Sequence, residues 1–299
     1  MKTSPPGPID KRLVTVIIAS YNHGPYVEQS ILSVIRQTYP HVELLVIDDG
    51  STDDSVQRIE ALQKAYGFDF RIQKNQGLTR TLNEASNRAK GEFIAPFGSD
   101  DIMLENRLAL QMDYLADKPE VGICAGNMEL MNSDGTPYVE RHPRPLPGFR
   151  RLDFEDVFLE RKPLAPAPTL LIRKEALETV GGFNPEIRLE DLYIQLKITH
   201  AGYCIDALGS VLARYRKHPT NSYKNIRFMT ESVLRIYADY AEHPAYQQVR
   251  NHFINSMLVK ASRRDRALSR ELIAQLPWHA WNRRTLASLL RYPFAPRIS

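Results

Sequence analysis

The sequence predicts an α/β protein in which a mostly parallel central sheet is flanked by helices and followed by a helical C-terminal extension. In the first hundred residues, uninterrupted apolar runs such as VTVIIA (14–19) and VELLVID (42–48) alternate with segments of helical periodicity. Strands that are apolar throughout and alternate with helices are typical of a parallel sheet covered on both faces. A chain of 299 residues that is 43% hydrophobic is large enough to bury such a core.

The elements follow in chain order from apolar periodicity, capping residues and glycine stops. The first part has strands at 14–19, 42–48, 68–74 and 92–98. Its helices are predicted at 26–39 and at 78–90, and a third helix between them is capped by Ser51 or Asp53 and ends at Gly67. The second part has a helix at 104–117, a strand at 121–126, a turn at 132–136, a strand and short helix within 168–183, a helix at 189–203 and a strand at 205–218. A proline-rich irregular connection at 137–168 is expected to cover a site, and the chain is helical from residue 226.

Polar residues follow each of the first four strands. These loops are SYNHG (20–24), DDGS (48–51), NQG (75–77) and SDD (99–101). Ligands of open parallel sheets bind beyond the carboxyl ends of the strands, so we expect the four loops to meet at one site. Loops are generally polar, which explains each of these loops singly. The gathering of four carboxylates at one edge of the sheet nevertheless favours a binding site.

Asp100 and Asp101 are adjacent carboxylates at the edge of a core, where they raise each other's pKa unless a cation or hydrogen-bond donors neutralise them. Mg²⁺ or Mn²⁺ suits such an edge, because it takes one or two carboxylates together with phosphates of a bound substrate. The loops contain neither G-x-G-x-x-G nor a Walker-type G-K-S, so a nucleotide held through metal and base contacts fits better than one held on a glycine loop. The alternative is that both residues cap the following helix.

Five segments in order resemble glycosyltransferase family 2, inverting enzymes of the GT-A fold. They are VTVIIASYNHGPYVEQSILSVIRQTYPHVELLVIDDGSTDDS, NQGLTRTLN, AKGEFIAPFGSDD, LIRKEALETVGGFNPEIRLEDLYIQLKI and YRKHPTNS, and together they cover residues 13 to 222. Each segment alone is a weak signal, whereas five in this order are specific. The resemblance implies a nucleotide-sugar donor and a saccharide or lipid-linked saccharide acceptor, in bacterial surface polysaccharide or lipopolysaccharide synthesis.

The resemblance also implies roles for residues on the first strands. Ala19, Tyr21 and Asp49 would hold the nucleotide base of a UDP- or dTDP-sugar. Asp100 would lie near the ribose and the metal, and Asp101 would bind the metal that bridges the diphosphate.

Three further roles are implied by later segments. Asp191 of LED would be the general base, and His218 and Asn221 of YRKHPTNS would approach the diphosphate on a closing segment. Asp191 has a simpler reading as a first-turn acid of a helix, and His218 as a surface histidine.

This sequence departs from the family pattern at two positions. Many members carry Asp-x-Asp-Asp at the fourth strand, whereas here the first of these positions is Gly98. Metal binding would then depend on Asp100 and Asp101. The frequent proline at the end of the first strand is Ala19, which we expect to be harmless.

On this reading the chain divides into four parts. They are a disordered leader (1–12), a nucleotide-sugar-binding half (13–125), an acceptor-binding and catalytic half (126–222) and a helical extension (223–299). The start lacks an apolar signal-peptide core, and Cys124 and Cys204 are predicted to be reduced, buried thiols, which together indicate a cytoplasmic protein.

Two other functions would use parts of the same sequence pattern. A nucleotidyltransferase on a similar sheet would use paired carboxylates, but it usually has a glycine-rich, basic loop after the first strand. A basic-tailed nucleic-acid-binding protein would use the C-terminal region, but that region lacks interleaved aromatic residues at the density of stacking modules. We therefore expect no nucleic-acid partner.

The charge is distributed unevenly along the chain. Residues 251–299 carry nine basic and two acidic side chains, a net charge of +7, which leaves −3 for the first 250 residues. Leucines and tryptophans are interleaved with these arginines, namely Leu258, Leu268, Leu272, Ile273, Leu276, Trp278, Trp281, Leu286 and Leu289. Such a pattern predicts either a peripheral contact with the inner face of the cell membrane or packing on the rest of the chain or on a second subunit of a homo-oligomer.

Overall fold

A computed structural model describes residues 12–140 and 145–291. The predicted leader lies outside the described residues except for Arg12. The chain divides into two compact units, the first ending at His218 and the second beginning at Pro219. One sheet runs through both of the halves predicted within residues 13–222, and each unit is described by itself below.

The first unit contains a nine-stranded sheet with the order β3-β2-β1-β4-β8-β6-β9-β5, and β7 pairs with β9. Strands β1 to β4 are parallel to one another, β6 is parallel to β9, and the other pairs are antiparallel. The strands are β1 (Val14–Ser20), β2 (Val42–Asp48), β3 (Asp69–Ile72), β4 (Phe93–Gly98), β5 (Ile102–Met103), β6 (Val121–Asn132), β7 (Arg150–Leu152), β8 (Leu171–Arg173) and β9 (Cys204–Lys217). The predicted mostly parallel α/β fold is therefore confirmed.

The helices of the first unit alternate with these strands. They are α1 (Gly24–Ile35), α2 (Ser55–Tyr66), α3 (Leu78–Arg88), α4 (Arg107–Leu115), α5 (Phe154–Phe158), α6 (Lys174–Thr179) and α7 (Glu190–His200). Side chains of β1, β2 and β4 form the centre of the core, and Val27, Ile31 and Val34 of α1 pack against it. Ile35 is partly buried against the same core, so all four side chains lie on the face of α1 that a 3.6-residue repeat turns toward the sheet.

Several predicted boundaries are corrected. Helix α2 begins after Asp54, and the Ser51 hydroxyl donates to Asp48 rather than capping the helix. The Asp53 carboxylate accepts the amide of Ser55, the first residue of α2, at 3.0 Å, so it does hold the start of the helix, and it also accepts the Gly24 amide. The helix predicted at 104–117 starts only at Arg107, because Ile102–Met103 pairs with β9. Strand β6 continues to Asn132, six residues beyond the prediction, because its whole length pairs with β9.

The connection at 137–168 is not irregular throughout. It contains β7 and α5, and α5 begins with a capping box in which Asp153 and Asp156 each accept the other's backbone N–H. The thiols of Cys124 and Cys204 are free, as predicted, but Cys204 is partly exposed because it stands at the first position of β9.

The second unit is helical, as predicted. Its helices are α8 (Ile226–Ala238), α9 (Tyr246–Ala261), α10 (Arg266–Ala274) and α11 (Arg283–Arg291). It has a core of its own, formed by Ile254, Met257, Leu258, Ala261, Leu268, Leu272 and Leu276. Among the described residues, none of the helices combines the length and the apolar character needed to cross a membrane.

Candidate active site

The carboxyl ends of β1, β2 and β4 form the floor of the candidate site. Strand β1 lies between the other two, with Ser20 beside Asp48 of β2 and Ala19 beside both Ile47 of β2 and Gly98 of β4. The chain order reverses at β1, and a parallel sheet opens a crevice at such a point. Ala19 therefore lies in the floor, and Tyr21, which is 48% exposed, follows on the loop above it.

Hydrogen bonds join the loop after β1 to the loop after β2. Asn22 has a positive φ of 53°, its amide donates to the Ser51 hydroxyl at 2.8 Å, and its side-chain oxygen accepts from the Thr52 amide at 2.8 Å. Asparagine tolerates this left-handed backbone better than most residues. The next amide, that of His23, donates to the Ser55 hydroxyl at 3.1 Å, so the start of α1 is fixed beside α2.

Asp49 organises the loop after β3. Its buried carboxylate accepts from the Gln73 side chain at 2.8 Å, the Gln76 amide at 3.0 Å and the Gly77 amide at 2.9 Å. Gly77 has a φ of 91°, which favours glycine. Two carboxylate oxygens offer about four acceptor positions, so these three bonds leave Asp49 capacity for one further donor. Its predicted contact with a base N–H stays a prediction.

Asp100 meets two histidines from opposite ends of the first unit. The His218 Nε2 atom lies 2.7 Å from Asp100 Oδ2, and the His23 Nδ1 atom lies 2.7 Å from the Ser99 hydroxyl. One ligand atom from each of His23, Asp100 and His218 lies within 4.8 Å of the others, a spacing at which all three can bind one metal ion. His218 is therefore part of the site and is not a surface residue, since it is 3% exposed.

The protonation of this cluster suits a cation. Burial lowers the pKa of His23 despite the opposing charge of Asp100, so its imidazole is neutral near pH 7, as a metal ligand must be. Burial opposes ionisation of Asp100, but the hydrogen bond from His218, together with the nearby imidazoles, outweighs it and lowers the pKa of Asp100. The carboxylate is thus held in its charged form.

Asp101 is buried directly behind Asp100. Its Oδ1 atom accepts the Arg216 amide at 2.9 Å. Burial and the charge of Asp100 raise the pKa of Asp101 well above its ordinary value. A nearby cation would therefore stabilise the ionised form of Asp101. This agrees with the expectation from the sequence that the two adjacent carboxylates raise each other's pKa unless a cation or donors neutralise them.

Arg216 supports both aspartates and was not identified from the sequence. It is 1% exposed, and its guanidinium donates to the carbonyls of Asp100 (2.7 Å) and Ser133 (3.0 Å) and to the Gln29 side chain (2.7 Å). It also lies over the Tyr26 ring, 4.9 Å from the centroid, and that ring packs against His218 at 5.2 Å. Arg216 lies at the end of β9, two positions before His218, and residues two apart in extended backbone share a face, so this spacing was the available signal.

Glu190 and Asp191 lie in the first turn of α7, and both are partly buried. Burial and the charge of Asp191 raise the pKa of Glu190 to about 8, and burial raises the pKa of Asp191 as well. Asp191 Oδ1 accepts the Leu192 amide at 2.8 Å. A carboxylate with a raised pKa is a better proton acceptor near neutral pH than an ordinary one.

Asn221 belongs to the second unit. It precedes the short 3-10 helix Ser222–Lys224, and its carbonyl accepts the Lys224 amide at 3.1 Å. Its predicted approach to the diphosphate, like the roles of Ala19, Tyr21 and Asp191, stays a prediction.

Comparison with known proteins identifies the family. The family model described as Glycosyl transferase family 2 matches residues 15–181. The chain belongs to this family. It is a transferase by that membership, and the match ends at the β8–α6 segment, before the LED and YRKH motifs.

Relatives of the family 2 chain are found among curated sequences. TuaG of Bacillus subtilis, named for teichuronic acid biosynthesis, is 29% identical over 212 residues, which cover 69% of this chain and 79% of TuaG. WfgD of Escherichia coli, named as a UDP-Glc:α-D-GlcNAc-diphosphoundecaprenol β-1,3-glucosyltransferase, is 35% identical over 134 residues, covering 42% of this chain and 49% of WfgD. The first of these alignments spans most of both chains.

A solved structure shows the same fold. The mannosyltransferase PcManGT of Pyrobaculum calidifontis, in complex with GDP-Man and Mn²⁺, has a TM-score of 0.63 at 19% identity and covers 97% of this chain and 88% of its own. The fold of this family 2 member is therefore GT-A, as the resemblance implied.

The geometry accounts for Gly98, where many family members carry aspartate. A Cβ atom placed on Gly98 would lie 2.7 Å from Asp100 Oδ1 and 3.0 Å from Asp101 Oδ2. The two carboxylates therefore converge on the space that the absent side chain leaves. One of these two carboxylates, that of Asp100, also belongs to the cluster with His23 and His218, a donor set that fits a divalent cation.

Proposed function

We propose that this chain is a metal-dependent inverting glycosyltransferase that moves a sugar from a nucleotide-sugar donor, a UDP- or dTDP-sugar, to a hydroxyl of a saccharide acceptor. The observation that carries the proposal is the cluster of His23, Asp100 and His218, with the Asp101 carboxylate turned toward the same space beside Gly98 as that of Asp100. Relatives named for teichuronic acid synthesis and for a lipid-linked acceptor support a role in bacterial surface polysaccharide or lipopolysaccharide synthesis at the cytoplasmic side of the membrane.

The donor would bind across the carboxyl ends of β2, β1 and β4. The loops of Tyr21 and Asp49 border the place for the base, and Asp49 has the acceptor capacity that a pyrimidine N–H requires. The diphosphate would then extend toward Asp100. A uracil or thymine base offers such an N–H, which is why UDP- and dTDP-sugars are preferred here.

Asp100 and Asp101, with His23 and His218, would hold Mn²⁺ or Mg²⁺. When bound, the cation stabilises the negative charge that develops on the leaving diphosphate. Imidazole ligands suit Mn²⁺ better than Mg²⁺, which prefers oxygen ligands, so we propose Mn²⁺ as the better cofactor. Arg216 keeps Asp100 and Asp101 in place through its bonds to the backbone and to Gln29.

Asp191 would remove the proton of the acceptor hydroxyl as it attacks the anomeric carbon from the face opposite the diphosphate. A single carboxylate in hydrogen-bond reach suffices for this step. Inversion follows because one displacement occurs, without a covalent sugar–enzyme intermediate.

A nucleotidyltransferase and a nucleic-acid-binding protein remain the competing functions. Family membership favours sugar transfer over both.

A panel of sugar nucleotides tests the proposal by thermal shift with Mn²⁺. We expect one UDP- or dTDP-sugar to raise the melting temperature, because a ligand that binds only the folded state stabilises it by mass action. Excess chelator and Asp100→Asn should each abolish the shift, whereas Asp113→Asn, an exposed aspartate on α4, should keep it. Full turnover in excess chelator would contradict metal dependence, and a panel without any shift or product would contradict the function.

A further inference from the structure

The apolar side chains of the basic C-terminal region fall into two groups. Leu258, Leu268, Leu272 and Leu276 are buried in the core of the second unit. This first group packs within the chain, which is one of the two predicted alternatives, because α9 and α10 contact each other through it. The second group points outward and consists of Trp278 (83% exposed), Trp281 (41%), Leu286 (55%) and Leu290 (78%).

Helix α11 is turned so that its small polar residues face inward. Thr285 and Ser288 are fully buried, and the Thr285 hydroxyl donates to the Asn255 side chain of α9. Asn282 caps the helix by accepting the Arg284 amide at 2.8 Å. Leu286 and Leu290, one turn apart, are left on the outer surface. A water-soluble helix normally buries its leucines and exposes its hydroxyl groups, so this orientation needs a reason.

The segment before α11 is held in place by α9 as well. The Asn255 side chain donates to the Ala280 carbonyl at 3.1 Å, and the Trp281 indole N–H donates to the Leu276 carbonyl at 3.4 Å. The exposure of Trp278 and Trp281 is thus a feature of an ordered turn that is hydrogen-bonded to the core.

The segment that carries these side chains has charges of one sign. Residues 272–291 contain Arg283, Arg284 and Arg291 and no aspartate or glutamate. Arg283 and Arg284 are exposed at the first turn of α11. Helices that lie in a bilayer interface typically combine tryptophan, leucine and arginine on one surface. The indoles of such helices lie at the level of the lipid headgroups, and their arginines contact anionic headgroups.

We infer that Trp278, Trp281, Leu286 and Leu290, with Arg283 and Arg284, form a tryptophan–arginine patch that docks on an anionic lipid bilayer. A second copy of the chain is a poorer occupant, because a two-fold contact would bring the arginines of both patches together with no acidic partner among residues 272–291. Nucleic acid would satisfy the arginines but not the exposed leucines. The inference goes beyond the proposed transfer reaction and is tested without it.

The full chain reports on the patch by its own fluorescence, since Trp278 and Trp281 are its only two tryptophans. Phosphatidylglycerol vesicles at low salt should shift the emission to the blue and co-sediment with the protein, and salt should reverse both effects. Phosphatidylcholine vesicles should do neither.

Two matched pairs of variants locate the contact. Leu290→Glu should weaken vesicle binding by roughly tenfold or more, whereas Leu146→Glu, an exposed leucine of the first unit, should not. Arg283→Glu with Arg284→Glu should weaken binding more than Arg263→Glu with Arg264→Glu, an exposed adjacent pair at the end of α9. All these positions are exposed, so thermal melts should be unchanged.

Four results would overturn the inference. They are no vesicle binding by the full chain, equal losses within either matched pair, a blue shift on raising protein concentration without lipid, and an equal blue shift with an oligonucleotide. The third would assign the patch to self-association and the fourth to nucleic acid. A failed transferase assay would leave all of these readouts intact.

Discussion

At the scale of single residues, we predict that Asp191 is the general base of the transfer reaction. Asp191→Asn should keep donor affinity and lose transfer by roughly 10²–10⁴-fold, because a general base acts on the acceptor proton and not on the nucleotide. Glu190→Gln, at the neighbouring position of α7, is the matched control and should keep transfer. Donor titration by calorimetry and a transfer assay separate the two quantities.

The pH profile gives a second readout of the same residue. Because the base must be ionised, transfer should rise with pH through the raised pKa of Asp191 and fall below it. If donor affinity and transfer fell together in Asp191→Asn, Asp191 would be a structural residue.

Site residues could be predicted from the sequence where a single short motif contains them. Asp100, Asp101 and His218 were named from short segments, and the structure brings Asp100 and His218 into contact at 2.7 Å. His23 and Arg216 were missed, because their roles depend on a β1 loop and a β9 strand that are nearly two hundred positions apart in the chain and meet only in the folded sheet.

At the scale of elements, strand β9 contacts both aspartates through Arg216, whose backbone amide donates to Asp101 and whose side chain donates to the Asp100 carbonyl. Arg216→Met should destabilise folding by about 3 kcal/mol, since it leaves the carbonyls of Asp100 and Ser133 and the Gln29 side chain without their donor and removes the positive charge beside Asp101. It should also weaken Mn²⁺ affinity by roughly 10- to 100-fold, because groups that orient metal ligands have effects of that size. Chemical denaturation and Mn²⁺ titration by electron paramagnetic resonance measure the two effects.

Arg214→Met is the control on the same strand. Arg214 is exposed and makes a 3.5 Å ion pair with Glu129 at the surface, so both quantities should change little. Unchanged Mn²⁺ affinity in folded Arg216→Met would show that Arg216 serves stability alone.

Elements were predictable where one local rule decided them. Strand β2 agrees with its prediction at both ends, because a buried apolar run is bounded by polar residues. The edge strand β3 is three residues shorter than predicted, and β7 and α5 were not foreseen in a proline-rich stretch. The two strands depend on pairing with β2 and β9 rather than on their own composition.

At the scale of the whole molecule, the chain combines a site for an anionic donor with a basic region that is separate in sequence. The last 49 residues carry +7 and the first 250 carry −3. If the acceptor is a lipid-linked saccharide and the tryptophan–arginine patch docks on the bilayer, the two proposals make a joint prediction. Docking raises the local concentration of enzyme near the acceptor, an effect that needs no change in the site itself.

Leu286→Glu with Leu290→Glu should therefore keep kcat/KM for a soluble saccharide acceptor and lose roughly tenfold or more for the same saccharide carried by a lipid in phosphatidylglycerol vesicles. Leu146→Glu should keep both activities. Equal losses with the two acceptors would show that α11 supports the fold rather than the membrane contact. If the double variant kept the full activity of the unchanged protein with both acceptors, transfer would not depend on docking. An enzyme free in solution would then reach the lipid-linked acceptor as often as a docked one.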